Sequence, residues 1–296
     1  MKILLTGATG FVGKNFLSAL TDHSISVLSR NELCNPQIGS AEVIIHLAGK
    51  AHDLKQTSNP EDYYKVNFEL TKKIYDAYLS SGATKFIFFS SVKASADIVP
   101  LILKEESRPN PQTDYGKSKL LAEKYIQEQP LPTGKSFYIL RPCMIHGPGN
   151  KGNLNLLYGV VRKRFPYPLA AFNNRRSFLS IENLNFVVEN LINSNIDSGI
   201  YNVADDDPLS TNQVIELISK VLGFKAKLWK ISPVLIQCIA KIGNVLYLPL
   251  NTERLKKLTE SFIVSNEKIK RALNIKKFPV SSTEGLFNTI KSFNLK

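Results

Sequence analysis

The first thirteen residues, MKILLTGATGFVG, run from a short apolar stretch with strand character straight into three glycines spaced three apart. Gly7, Gly10 and Gly13 make a G-x-x-G-x-x-G turn, and the residues from Phe11 onward read as a helix. Glycine lets the chain turn tightly and lets a diphosphate approach the backbone, where unpaired N–H groups and the positive helix end meet its charge. A strand before and a helix after therefore predict dinucleotide binding rather than a merely structural turn.

Further along, ISVLS (25–29), EVIIHLA (42–48), KFIFFSS (85–91) and SFYILRP (136–142) join KILLT (2–6) as strands, with helices beginning near Phe11, Asn59 and Tyr115. Such alternation predicts a parallel sheet covered on both faces. After Pro142 the text passes into GPGNKGN and PYPLAAFNNRRS, rich in Asn, Gly, Pro and Arg, where a smaller ligand-facing domain begins. The expected class is α/β: a Rossmann-type doubly wound parallel sheet with a smaller C-terminal substrate-binding domain. Residues 1–145 plus about 177–200 are assigned to the first and 146–176 plus about 201–296 to the second.

At 296 residues and 43% hydrophobic, the chain can bury a large core. Cys34, Cys143 and Cys238 lie far apart, with no Cys-x-x-Cys and no flanking histidine pattern, so neither a metal site nor a disulfide framework is indicated. Glycines interrupt the N-terminal apolar run too early for a signal peptide, and a cytoplasmic location is expected. The net charge of +13 admits nucleic acid, an anionic membrane surface or small anionic ligands as partners. Much of it sits late, at Arg254, Lys256, Lys257, Lys268, Lys270, Arg271, Lys276 and Lys277, without the aromatic interleaving of single-strand binders. A solvated basic face is expected and nucleic acid is not. The most apolar stretch, 231–250, has Pro233 near its start and Lys241 in its middle, and reads as a packed helix rather than a membrane span, with a monotopic contact as the lesser reading.

In DYGKSK (114–119), Tyr115 and Lys119 stand four apart and share one helical face. Taken with the glycine fingerprint, HLAG (46–49) and FFSSV (88–92), in this order and spacing, the chain resembles the extended short-chain dehydrogenase/reductase family of nucleotide-sugar epimerases, dehydratases and reductases. IHLAGKAHD, SSVKAS, RPCMIHGPGNKGN and NNRRSF look most like its bacterial UDP-N-acetylglucosamine 4-epimerases and UDP-4-keto-6-deoxy-sugar 4-reductases.

That resemblance implies Tyr115 as acid/base, Lys119 as the group that holds the nicotinamide ribose and lowers the tyrosine pKa, and Ser91, in preference to Ser90, as the hydrogen-bond partner of the reacting oxygen. Cofactor contacts are implied for Gly7, Thr9, Gly10, Phe11, Val12, Gly13, Ser29, Arg30, Leu47, Ala48, Gly49, Tyr115, Lys119 and Pro142. Arg176 matches the arginine that clamps the substrate diphosphate, with Arg175, Lys151 and Asn153 as weaker candidates. His146 is given only packing or a cofactor-pocket wall. The partner implied is a UDP- or dTDP-linked sugar, and a homodimer is compatible with the resemblance.

Several departures refine this. Between ISVLSR and AEVIIHLA only a short loop remains where relatives insert a helix and a strand, so one edge strand and its adenine-contacting acid are expected to be missing. Met144 replaces an asparagine that UDP-galactose 4-epimerases use, and Val92-Lys93 replaces the Asp-Glu pair of dehydratases. Ser29 and Arg30 stand where NAD-preferring relatives place an aspartate, so NADP(H) is expected ahead of NAD(H). The expectation is an NADPH-dependent 4-reductase acting on a UDP-4-keto-6-deoxy-(N-acetyl)hexosamine for surface polysaccharide. The alternatives are an NAD-dependent 4-epimerase and, more distantly, a non-catalytic NADP-binding regulator.

Overall fold

The computed structural model describes residues 1–50, 59–99, 101–150, 152–246 and 251–293. Its N-terminal half follows the glycine punctuation: β1 (Lys2–Thr6), α1 (Phe11–Ala19), β2 (Ser24–Leu28) and β3 (Val43–His46). Next come α2 (Pro60–Tyr63), a π-helical turn over Tyr64–Glu69, α3 (Leu70–Leu79), β4 (Lys85–Phe89), the two-residue β5 (Ile102–Leu103), α4 (Asp114–Glu128) and β6 (Ser136–Pro142). β7 (Met144–His146), α5 (Asn153–Arg162), β8 (Phe178–Ser180), α6 (Ile181–Asn193) and β9 (Gly199–Val203) follow. The chain closes with α7 (Thr211–Val221), α8 (Pro233–Val245), α9 (Thr252–Thr259), β10 (Ile263–Val264), α10 (Glu267–Ala272) and α11 (Ser282–Phe293).

Six strands form one sheet in the order β2-β1-β3-β4-β6-β9, every neighbouring pair parallel. The inner strands are buried on both faces and mostly apolar, with Thr6, His46, Lys85 and Arg141 as buried polar exceptions. One face packs against Phe16 and Leu20 near α1 and Leu184, Val187 and Leu191 of α6; the other against Ile74, Tyr75 and Tyr78 of α3 and Ala122 and Ile126 of α4. Two lysines, Lys85 buried and Lys135 half-buried, tie helix ends to strands. Lys85 Nζ donates to the carbonyls of Leu191, Ile192 and Ser194, and Lys135 Nζ to those of Tyr78, Ser81 and Ala83, satisfying acceptors that a helix C-terminus leaves open.

All five expected strands are present, and the shortened β2–β3 connection holds only a 3-10 turn, Glu32–Cys34. Among the described residues no strand lies beyond β2, which is the sheet edge. The opposite edge, β9, has its Asn202 N–H donated to Glu105 Oε1 at 2.8 Å. β9 ends at Val203, just past the expected boundary near 200. Val264, Ile269 and Phe278, from the part assigned to the second domain, return to the sheet core. A separate core of Leu154, Tyr158, Val161, Leu209, Ile215, Ile218, Leu286 and Ile290 joins α5, α7 and α11.

Candidate active site

The parallel sheet sends the C-terminal ends of β1, β3, β4 and β6 to one edge, where ligands bind in such folds. Gly7 has φ +74°, and a Cβ there would lie 2.7 Å from the Ala48 nitrogen. Side chains rarely adopt that backbone conformation. A Cβ on Gly13 would meet the Gly7 oxygen at 2.4 Å and the Ala8 Cα at 2.6 Å, so α1 packs onto the turn with no space to spare. The α1 N-cap is Gly10, with no side-chain cap and no acid in the first turn. Its N–H groups face the exposed Thr9–Gly10 turn, and a dinucleotide diphosphate fits these donors. Phe11 lies against the GPG loop: a Cβ on Gly147 would sit 3.2 Å from its ring, while Val12 beside it is half-buried.

At the tip of β2, Ser29 and Arg30 are exposed. Glu32 turns back onto Ser29, whose N–H donates to Oε2 at 2.7 Å, and bonds from the Ser29 backbone and hydroxyl hold the Glu32 carboxyl below its usual pKa. A carboxylate thus stands at this tip, brought back from a 3-10 turn three residues beyond Ser29.

Ser91, Tyr115 and Lys119 meet at the end of β4. Ser91 caps the turn Val92–Ala94, its Oγ accepting from Lys93 N, and its side chain hydrogen-bonds Tyr115. Ser90, the competitor, donates to the buried Glu123 carboxylate instead. α4 starts on Thr113, whose Oγ1 accepts from Gly116 N at 3.2 Å. Gly116 is what lets the helix come so close: a Cβ there would lie 2.3 Å from the Lys93 carbonyl oxygen. One turn on, Lys119 Nζ donates to the Phe89 carbonyl at 2.7 Å, lies over the Phe88 ring, and would be 3.2 Å from a Cβ on Gly49. HLAG and the Tyr/Lys pair thus converge. The backbone of Leu47 and Ala48 runs against Gly7 on one side, and Gly49 faces Lys119 on the other.

Burial pushes Lys119 down to about 8, partly opposed by Glu123. It also raises Tyr115, an effect the Ser91 bond offsets and Tyr63 reinforces. Lys119 donates to the Phe89 carbonyl, and burial is the largest influence on Tyr115.

Two features of this site escape the sequence. Asn67, on the π-helical turn, is buried; its Oδ1 accepts from Lys50 N and its Nδ2 donates to Ser118 Oγ, fixing the loop after Gly49 to α4. Glu123, one turn beyond Lys119, forms a fully buried two-point pair with Arg141 at 2.9 and 2.5 Å. Glu123 stands at i+4 from Lys119, and VNFELT carries an asparagine with no local polar reason, but neither signal names its partner.

Arg176, expected to hold the substrate diphosphate, is half-buried, pairs its backbone with Leu209 and Phe262, and donates from Nε to the Glu260 carbonyl at 3.2 Å. Burial lowers its pKa, against the pull of Glu260 and Tyr167. Phe262 connects it to the Val92–Ala94 turn, because Lys93 Nζ lies 4.8 Å from that ring. Arg175 is exposed and engages the Pro208 carbonyl, and Asn153 is exposed at the first residue of α5. Lys151 lies outside the described residues. Pro142 ends β6 opposite Val203, and His146 is buried against Thr289 and Asp205.

The chain matches the NAD dependent epimerase/dehydratase family over residues 3–204. It is 28% identical to a UDP-glucose 4-epimerase of Vibrio cholerae, over 98% of this chain and 95% of the relative. It is 30% identical to the N-acetyl-alpha-D-glucosaminyl-diphospho-ditrans,octacis-undecaprenol 4-epimerase of Escherichia coli O157:H7, over 75% and 73%. A third relative, the UDP-2-acetamido-2,6-beta-L-arabino-hexul-4-ose reductase of Pseudomonas aeruginosa, is 30% identical over 52% of this chain and 38% of its own length. Among solved structures, RMD from Pseudomonas aeruginosa complexed with NADPH superposes with a TM-score of 0.76 at 18% identity, covering 100% and 99% of the two chains.

Proposed function

Since the chain belongs to the NAD dependent epimerase/dehydratase family, we propose that it reduces the C4 ketone of a nucleotide-linked sugar with NADPH. The substrate class we assign is a UDP- or dTDP-4-keto-6-deoxyhexose or hexosamine, in the cytoplasm. The observation that carries this reading is the hydrogen bond between Ser91 and a Tyr115 whose pKa is raised, so that its proton is retained near neutrality. When bound, a nicotinamide dinucleotide supplies the hydride chemistry. Gly7, Gly10 and Gly13 would hold its diphosphate, Gly49 and Lys119 its ribose, and Arg30 its 2′-phosphate, with Pro142 and Leu47 walling the pocket.

Ser91 fixes the ketone oxygen by hydrogen bonding. The Tyr115 hydroxyl gives its proton to that oxygen as the carbinol forms, and the phenolate left behind is stabilised by the Lys119 ammonium before it is reprotonated from water. Arg176 holds the substrate diphosphate through its planar fork. Lys93 in place of a carboxylate leaves the site without an elimination acid, and Met144 in place of asparagine removes a sugar contact; both support reduction over dehydration and over the usual epimerisation.

A second reading, NAD-dependent 4-epimerisation, is favoured by the Vibrio cholerae relative, which matches along almost the whole chain. The Escherichia coli relative extends that reading to a sugar diphosphate on a polyprenyl carrier, since the diphosphate would meet the same arginine. The test is a panel of UDP- and dTDP-linked hexoses and 4-keto-6-deoxyhexoses with each nicotinamide cofactor, products read by NMR. NADPH consumption with a 4-keto sugar is the expected result. NAD+ copurifying with the protein, together with interconversion of UDP-GlcNAc and UDP-GalNAc, would install the epimerase. NADPH binding without turnover of any member would leave a regulator.

A further inference from the structure

α8 is amphipathic twice over. Ile236, Ala240 and Gly243 recur at helical spacing on its inner face, with Ile236 and Ala240 packed against Leu169 and Leu255. The outward arc is also apolar: Val234, Leu235, Ile239, Ile242 and Leu246 are 68, 54, 40, 55 and 61% exposed. At about 100° per residue these five fall within an arc of about 140° that flanks the packed face, with Lys241 just beyond its far edge next to Val234. Trp229, 56% exposed, and Lys230 stand immediately before the helix. A stripe of large aliphatic side chains left in water on a folded chain marks an interaction surface.

We infer that this face of α8 seats the protein on an anionic membrane surface, with the helix lying in the interface plane. The occupant is chosen by charge and by shape. Residues 225–260 carry seven lysines and arginines against two glutamates, and the whole chain is +13. Two copies meeting through this face would bring like charges together, whereas an anionic leaflet attracts them. An aliphatic stripe bordered by lysine, with a tryptophan beside it, is the composition of an interfacial helix. Spanning is not involved, because no helix of the described residues is long and apolar enough to cross a bilayer. Such seating leaves the Ser91–Tyr115 site unaltered and is independent of which sugar it reduces or epimerises.

Trp229 is the only tryptophan in the chain, so its emission reports this corner without labelling. The full-length protein is mixed with vesicles of phosphatidylcholine, alone or with about one third phosphatidylglycerol, at about 0.1 M salt, and bound protein is measured by sedimentation. Sedimentation with the anionic vesicles and a blue shift of Trp229 are expected, weakening several-fold as salt is raised. Leu235→Glu/Ile242→Glu changes only exposed positions, so its melting curve should match the parent while partitioning falls on the order of tenfold or more. Lys230→Ala/Lys241→Ala should reduce the preference for anionic over neutral vesicles. The inference is overturned by absent partitioning with an unshifted emission, by partitioning that the double glutamate variant leaves intact, or by a dimer that this variant dissolves while vesicles recruit nothing.

Discussion

Replacing Gly116 by alanine tests how Tyr115, the proposed proton donor, is delivered. The added methyl would lie 2.3 Å from the Lys93 carbonyl oxygen and 2.9 Å from the Pro111 Cβ, neither of which is the far end of a flexible side chain. Ordinary contact begins near 3.4 Å, so the helix start or the 92–94 turn must retreat by about 1 Å. Tyr115 is the adjacent residue and Ser91 caps the turn that is pushed, so their hydrogen bond absorbs the displacement. Lys119 rides on the same helix and moves away from the Phe89 carbonyl. A misplacement of about 1 Å in a positioned catalytic group lowers turnover on the order of 100-fold. Overpacking costs about 1–3 kcal/mol, offset by about 1 kcal/mol gained from alanine in a helix, so stability should fall by about 0–2 kcal/mol. Steady-state kinetics and thermal melting of one preparation separate the two effects: kcat collapses while Tm drops by a few degrees at most. Gly159→Ala, in α5 with nothing within 4 Å of the added carbon, is the control and should be silent. Parental kcat in Gly116→Ala would show that close approach of α4 to the turn does not set the chemistry.

Tyr115→Phe should leave cofactor affinity nearly intact while turnover falls on the order of 100-fold or more; equal losses in a binding titration would make Tyr115 structural. Arg176→Ala should raise KM for the nucleotide sugar far more than for the cofactor, and the defect should narrow as salt is added; an unchanged KM removes this arginine from the site. Glu123→Ala strands Arg141 inside the core and should cost about 3–5 kcal/mol in urea unfolding, most of it recovered in Glu123→Leu/Arg141→Met. Burial lowers Lys119 from 10.5 to about 8, so turnover should decline as pH rises through that value and the ammonium is lost. Because the unfolded chain keeps this proton up to the higher value, the same group makes folding more favourable between about 8 and 10.5. Rate and melting temperature should therefore move in opposite directions over that window, and a parallel decline of both would mean that unfolding, not Lys119, sets the alkaline limb.

The glycine turn and the Tyr115/Lys119 pair were legible in the sequence because each is local. Gly7, Gly10 and Gly13 answer to a turn and a helix start only a few residues long, and Tyr115 and Lys119 lie one helical turn apart. The strands could be placed because a strand buried on both faces is mostly apolar along its length. What stayed hidden depends on distant parts of the chain meeting. Nothing near Asn67 indicates that it will hold Lys50 and Ser118, and nothing near Arg141 indicates that its partner is Glu123. β9 is short, ends in Asn-Val, and becomes a strand only because β6 offers it a ladder. Ser29 and Arg30 were placed at the β2 tip, but the carboxylate that returns to Ser29 depends on a 3-10 turn that propensity does not reveal. The shortened β2–β3 connection was visible as a simple count of residues.

That deletion has a colloidal consequence. A parallel sheet has two rims at which another chain can join backbone to backbone, and here they differ. At β9 the rim is occupied, because Glu105 takes the Asn202 N–H and α10 lies alongside. At β2 five residues end the sheet, with Val27 46% exposed. Strand-to-strand sticking between molecules during synthesis, concentration or storage would therefore begin at residues 24–28. The brevity of that rim, its alternating serines and the strong positive charge of the whole molecule disfavour such joining.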